Sequence, residues 1–240
     1  MNNEYENFAI VLARGGSKSI KNKNIKPIAS SNCVEITIKN LFTILKPNQI
    51  LLSSDSKEIL KVGDYHKIRT LVRPNKYASD SASSESAWLH AIEFLQSNNI
   101  IPKTIIAPQV TSPLRYKNSL KNALNKFYKE CYDSLFSAVK FSPHSFDWEL
   151  DEKSNKIKAI NYDPYIKRKL RQEQENKVKI RENGSFFIFN KDGFLKFRNR
   201  LFGKIGYYLQ DKVESIDIDE TEDWIIAESI LKSNKDKFLY

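Results

Sequence analysis

The chain has 240 residues, is 40% hydrophobic and carries a formal net charge of +10. That length and apolar content suffice for one large α/β domain, or one domain with a modest insertion. The basic balance favours acidic partners such as nucleic acid, anionic lipid or phosphorylated small molecules. Two cysteines outside any CxxC pair, and three histidines without zinc-like spacing, argue against a disulfide framework or zinc site. The acidic, polar opening "MNNEYEN" is unlike a signal peptide, and no apolar run approaches the roughly 20 residues that span a bilayer. A soluble cytoplasmic protein is expected.

In chain order, "FAIVLA" (8–13) is a continuous apolar run, as in a strand buried on both faces. "VEITIKNLFTIL" (34–45) predicts a helix with Ile38, Leu41 and Leu45 on one face. Strands are expected at "ILLSSD" (50–55) and "TLVR" (70–73), and a helix at "SSESAWLHAIEFLQ" (83–96). A fourth strand, "TIIAPQ" (104–109), precedes the amphipathic helix "SLKNALNKFY" (119–128) and the strand "SLFSAV" (134–139). This alternation predicts an α/β fold, a mostly parallel sheet with helices on both faces. Ligands of such sheets bind at the carboxyl ends of the strands.

The rhythm breaks after Lys140, and about 141–182 is expected to be a small inserted subdomain within a single 1–240 domain. The sheet pattern resumes at "GSFFIF" (184–189) and "VESIDID" (213–219), and "ETEDWIIAESILKS" closes as a helix with Thr221 as its N-cap. Trp88, Phe94, Trp148 and Trp224 are expected in the core, and His90 as a packed or surface helix residue.

Three stretches carry chemistry. The loop "RGGSKSIKNKN" (14–24) leaves the first strand where α/β sheets place phosphates. Gly15 and Gly16 allow close backbone approach to an anion; Arg14 offers a bidentate fork; Lys18, Lys21, Lys23 and Lys26 offer point charges. It matches neither the P-loop nor the GxGxxG fingerprint. In "SIDID", Asp217 and Asp219 share a face if extended, and paired carboxylates suit Mg²⁺ joined to substrate phosphates. In "APQVTSPLR" (107–115), Gln109 can donate to and accept from a base or sugar edge.

These pieces, in this order, resemble the CMP-sialic acid synthetases (acylneuraminate cytidylyltransferases). The family's ARxxSKGxxxKN stands here as "ARGGSKSIKNKN", and its RPxxxASDxASS as "RPNKYASDSASS" (73–84). Its QPTSPLR stands as "QVTSPLR" (109–115), and its RQ…ENG region as "RQEQENKVKIRENGSFFIF" (171–189). Its SIDID…D…AE stands as "SIDIDETEDWIIAE" (215–228). The resemblance departs where the family's glycine after SK is Ser19, and where a common proline is Lys21.

The resemblance implies a Rossmann-like fold whose inserted subdomain makes a homodimer. It implies transfer of CMP from CTP to a nonulosonic acid, N-acetylneuraminate or KDN, with legionaminic or pseudaminic acid as the alternative substrate. A non-catalytic nucleotide-binding relative is the rival reading. It also implies site roles. Leu12, Ala13, Arg14, Gly16, Ser17, Lys23, Asn24, Arg73 and Ser84 would bind the nucleotide. Gln109, Arg171, Arg181 and Asn183 would bind the sugar, and Asp217 and Asp219 would hold Mg²⁺. Arg14, Lys23, Asp217 and Asp219 would carry the chemistry. Leu201 and Phe202 are the nearest candidates for residues lent across the dimer. No general base is assigned. Neither nucleic acid nor a membrane is expected as a partner.

Overall fold

The computed structural model describes residues 3–17, 19–141, 147–167 and 178–240. It divides into two compact units, Met1–Val139 with Glu182–Tyr240, and Lys140–Arg181.

The larger unit is built on a seven-stranded sheet. Its strands are β1 (Asn3–Leu12), β2 (Ile50–Ser54), β3 (Arg69–Val72), β4 (Ile100–Pro108), β5 (Ser134–Phe141), β8 (Lys179–Asn190) and β9 (Ile205–Gln210), the first residues of β8 and the last of β5 belonging to the smaller unit. The sheet order is β3-β2-β1-β4-β8-β5-β9. β1 pairs in parallel with both β2 and β4, β2 with β3, and β5 with β9, while β8 runs antiparallel to β4. The chain winds outward from β1 to β3 and then returns to place β4 on the other side of β1. That reversal opens a crevice at the carboxyl ends of β1 and β4, where Leu12 bridges Gln109.

Alternation along each central strand splits the core into two layers. Ala9, Val11, Leu52, Ile106, Phe186 and Ile188 face one cluster. It also takes in the buried sides of α1 (Cys33–Leu41), α2 (Lys57–Tyr65), α4 (Ser119–Lys129) and α6 (Thr221–Ser233). Phe8, Ile10, Leu51, Ile105, Phe187 and Phe189 face the other, under α3 (Ser84–Ser97) and α5 (Lys191–Phe197). Trp88 is the centre of this second layer, with ring contacts to Phe187, Phe189 and Phe194 at 5.6–6.4 Å. Trp224 is also buried, as expected. Among the described residues, no helix is long and apolar enough to cross a membrane.

Several expectations are corrected. "VESIDID" is not a strand: Lys212–Ser215 is a 3-10 turn, and 216–219 runs on without a ladder partner. Its alternation reflects one buried apolar residue, Ile218, whose amide donates to the Thr111 carbonyl at 2.8 Å. Helix α6 is capped from Glu220, not Thr221, with the Glu220 amide donating to Asp223 Oδ2 at 2.9 Å. The first helix stops at Leu41, although Leu45 stays buried beyond it. Helices α2 and α5 and strand β9 lie in stretches where no element was expected.

The smaller unit contains the hairpin β6 (Trp148–Asp151) and β7 (Lys156–Ala159). Cross-strand pairs put Leu150 opposite Ile157 and Trp148 opposite Ala159 on one face, with Glu149–Lys158 and Asp151–Lys156 on the other. Trp148 is exposed, against the expectation of a core position, and so are Leu150 and Ile157.

The two tryptophans differ accordingly in what they hold together. Trp88→Ala should lower the urea-unfolding free energy by about 3–5 kcal/mol through an unfilled cavity. Trp148→Ala should change it by less than about 1 kcal/mol.

Candidate active site

A cavity of about 460 Å³ opens at the crevice between β1 and β4. Its wall includes Leu12, Arg14, Ser17, Lys23, Asn24, Arg73, Ser84, Gln109 and Asp219. Residues from four separate motifs of the sequence therefore meet at one place, while the 171–189 stretch puts no described residue on that wall. The expected Ala13, Gly16, Asn183 and Asp217 are not on that wall.

The basic loop supplies one side. After β1, the Ala13 amide donates to the Ser53 carbonyl at 3.1 Å, and its side chain is buried in the core rather than turned to a ligand. The Gly15 amide is taken by Asp55 Oδ1 at 2.8 Å. A Cβ at Gly15 would lie 2.8 Å from Ser56 Cβ, so this glycine is required by packing against the start of α2. Gly16 has nothing within 4 Å of an added Cβ. The loop turns back at Asn22, which has a left-handed φ of 56°. Ser19 has no such backbone, so the family's glycine at that position is not needed for φ here. Asn24 donates to the Arg14 carbonyl at 2.8 Å, while its Oδ1 is buried without a partner. Lys18 lies outside the described residues.

Lys23 is 8% exposed, unusually deep for a lysine. Its ammonium donates to the Ile218 carbonyl and stands 3.4 Å from Asp219 Oδ1. The opposite wall comes from the segment after β3. Arg73 is 5% exposed, and its Nε has no partner. Burial pushes its pKa down from the usual value; the Asp55 charge opposes this and the Arg14 charge adds to it. An anion in the cavity would relieve that cost. Arg14 reaches across the mouth to Asp80, Nη1 to Oδ1 at 2.6 Å. Among the described residues, three cations and two carboxylates thus line the cavity, a basic balance suited to a polyanion.

The acidic turn closes the remaining side. The Asp219 carboxylate is 73% exposed and on the cavity wall. Asp217 lies beyond Ile218, with Ser112 Oγ donating to its Oδ1 at 3.3 Å. Among the described residues, no three His, Cys, Asp or Glu side chains cluster as a metal cage. Mg²⁺ does not require one, since one or two carboxylates plus ligand oxygens are its usual donors. The hard oxygen and open exposure of Asp219 fit such an ion, with Asp217 as a second carboxylate nearby in sequence but held by Ser112.

Gln109 directly follows β4, with its amide donating to the Ser185 carbonyl at 2.9 Å. Its own carbonyl is held by Arg115 Nη1 at 2.9 Å. The Arg115 guanidinium is fully buried and also donates to the Ser185 carbonyl at 3.1 Å and to Thr37 Oγ1 at 2.9 Å. Burial lowers its pKa to about 10, against the pull of Glu214, so it remains a cation at neutral pH. Asn183 serves the fold: its amide nitrogen donates to Gln210 Oε1 at 2.9 Å and Ser215 Oγ at 3.0 Å. Arg181 belongs to the smaller unit, where its guanidinium lies over the Phe141 ring at 4.7 Å. Arg171 lies outside the described residues. Phe202 is buried in the second core layer, which removes it as a residue lent to a partner.

The sequence motifs missed part of the wall. Tyr77, Asp80 and Ser83 reach the cavity because a 3-10 turn at Asn75–Tyr77 folds the segment between Arg73 and Ser84. Only the two ends of "RPNKYASDSASS" were singled out.

A family model described as Cytidylyltransferase matches residues 8–239. The chain belongs to the cytidylyltransferase family. An N-acylneuraminate cytidylyltransferase of Oncorhynchus mykiss is 32% identical over 222 residues, covering 92% of this chain and 49% of that protein. A pseudaminic acid cytidylyltransferase of Campylobacter jejuni is 38% identical over 137 residues, covering 57% of this chain and 59% of that protein. The chain thus spans about half the length of the curated N-acylneuraminate relatives it matches. In fold, this cytidylyltransferase chain is similar to a CMP:2-keto-3-deoxy-manno-octonic acid synthetase solved with CTP. The TM-score is 0.69 at 10% identity, with 96% of this chain and 100% of that chain covered.

The buried arginine behind Gln109 gives a test. Arg115→Met removes the donor from three buried acceptors at once and should lower the urea-unfolding free energy by about 3 kcal/mol or more. Arg115→Lys should recover only part of this, because one ammonium cannot span all three.

Proposed function

We propose that this protein transfers the CMP group of CTP to an acidic nine-carbon sugar, releasing pyrophosphate. N-acetylneuraminate or KDN is the favoured acceptor. The observation that carries this is the cavity itself: buried Lys23 and Arg73, Arg14 at the mouth and the exposed Asp219 carboxylate share one wall with Gln109. The relatives named for N-acylneuraminate extend across 92% of the chain. Pseudaminic acid is the second reading, favoured by the 38% identity over 137 residues to the Campylobacter jejuni protein; legionaminic acid stays with it as the same chemistry.

In this mechanism the anomeric hydroxyl of the sugar gives up its proton to solvent as its oxygen forms a bond to the α-phosphorus of CTP. The bond from that phosphorus to the bridging oxygen breaks, and pyrophosphate leaves. Arg14 exchanges its Asp80 partner for a phosphate, and Lys23 brings a fixed charge already stripped of most of its water. Such positioned charges are most of what phosphoryl and nucleotidyl transfer asks of a protein. Arg73 and the α3 start at Ser84 would hold the nucleoside end, while Gln109 would orient the sugar. Asp219, with Asp217, would hold Mg²⁺, which neutralises phosphate charge when bound.

The same proposal makes the protein a cytoplasmic homodimer. The exposed apolar face of β6 and β7 supports the dimer, and the two free cysteines agree with a reducing compartment.

Purified protein with CTP and Mg²⁺ should release pyrophosphate with one or two sugars from a panel of N-acetylneuraminate, KDN, KDO, legionaminate and pseudaminate. CTP binding without release on any of them would favour a non-catalytic relative. Asp219→Ala should slow release on the order of a hundredfold or more. Asp217→Ala should slow it less, because Asp217 is off the cavity wall. Sedimentation equilibrium should give twice the chain mass, and Leu150→Asp should shift it toward a single chain.

A further inference from the structure

The acidic turn at 216–219 has no strand partner, yet it carries the carboxylate at the cavity wall. Its backbone is held from three directions. The Ile218 amide donates to Thr111, and the Asp219 amide donates to Asp223 Oδ2 at 3.0 Å. Among the described residues, the carbonyl side is held by the basic loop: Lys23 donates to the Ile218 carbonyl, and the Ser19 hydroxyl donates to the Asp219 carbonyl. Ser19 itself lines the cavity. The family pattern has glycine at this position, which has no side chain to make the second contact. The serine adds that contact on a backbone that does not require glycine.

We infer that Ser19 is a positioning residue. Its hydroxyl clasps the basic loop to the acidic turn and holds the Asp219 carboxylate where a divalent cation and a nucleotide phosphate meet. The inference rests on the proposed cytidylyl-transfer reading for its ligand, but the clasp itself is a property of the free protein. Without it, Lys23 alone would join loop and turn on the carbonyl side, and Asp219 would sample more positions. Metal affinity would fall, since a looser carboxylate must be ordered on binding. A nucleotide without metal would be less affected, because Arg14 is held by Asp80, Arg73 is carried by the segment after β3, and Lys23 keeps its own bond to the Ile218 carbonyl.

The experiment compares the wild-type chain with Ser19→Ala, Ser19→Gly and Ser19→Thr. Hydrogen exchange of the free proteins is read first. Peptides covering 216–220 should exchange faster in the alanine and glycine variants and at the wild-type rate in the threonine variant, which keeps the hydroxyl. Calorimetric titration of CTP with Mg²⁺ and with EDTA is read second. The alanine and glycine variants should lose about two- to tenfold in the Mg²⁺-dependent part of the affinity, as expected for one hydrogen bond. Their EDTA values and melting temperatures should match the wild type. Unchanged exchange at 216–220 in Ser19→Ala overturns the clasp. Equal weakening with and without Mg²⁺ also overturns it, because Ser19 would then be a direct nucleotide contact. Wild-type protein that binds no CTP in either condition overturns the cytidylyl-transfer reading and the metal-positioning role, while the exchange result still decides the clasp.

Discussion

A single buried guanidinium holds the inner wall of the cavity, and much of the site depends on it. Arg115 sits where β4 ends, β8 passes and α1 packs. It donates to the carbonyls of Gln109 and Ser185 and to the Thr37 hydroxyl. A charge in that position has lost its hydration, so its partners must be fixed in place for the fold to tolerate it. Nearby Glu214 supplies opposite charge. Its own oxygens are engaged by the amides of Tyr116 and Asp211, the Ser119 hydroxyl and the Gln210 side chain. The consequence is a rigid floor under Gln109, at the point where the sheet changes winding direction.

Above that floor the problem is the reverse. Arg73 and Lys23 are buried cations at an open cavity rather than in a closed core. Arg73 has an unpartnered Nε, and among the described residues Lys23 has the Ile218 carbonyl and one carboxylate oxygen at 3.4 Å. Arg14 is satisfied by Asp80 across the mouth. Together they form a site in which positive charge is desolvated in advance of its ligand. That arrangement is costly for stability and useful for binding polyanions, because little reorganisation remains when the ligand arrives.

Much of the architecture was legible because its physical causes are local. Buried parallel strands read as apolar runs, as in "FAIVLA" and "TIIAPQ". Amphipathic helices read by spacing, as in α3 and α4. What was not legible had weak local signal. Helix α2 ("KEILKVGDY") buries only Ile59, Leu60 and Gly63, so little of it looks apolar. Strand β9 is a sheet edge with alternating exposure, and α5 is only seven residues long. The "SIDID" stretch alternates like a strand but has one buried side chain and no neighbour to pair with. Trp148 looked like core because tryptophan usually is, yet it faces outward on a two-stranded hairpin.

By itself, the sequence determined the class of fold, the motifs and their order, and the residue types suited to phosphate and metal. These follow from composition and short-range spacing, which need no knowledge of what lies opposite. Only the tertiary structure decided which of those residues share a wall. It set Asp219 on the cavity and Asp217 behind it, turned Ala13 and Asn183 to the fold, and brought in Tyr77, Asp80 and Ser19. The reason is physical: residues far apart in the chain meet only through the winding reversal between β1 and β4 and the hydrogen bonds of irregular segments. No periodicity encodes either.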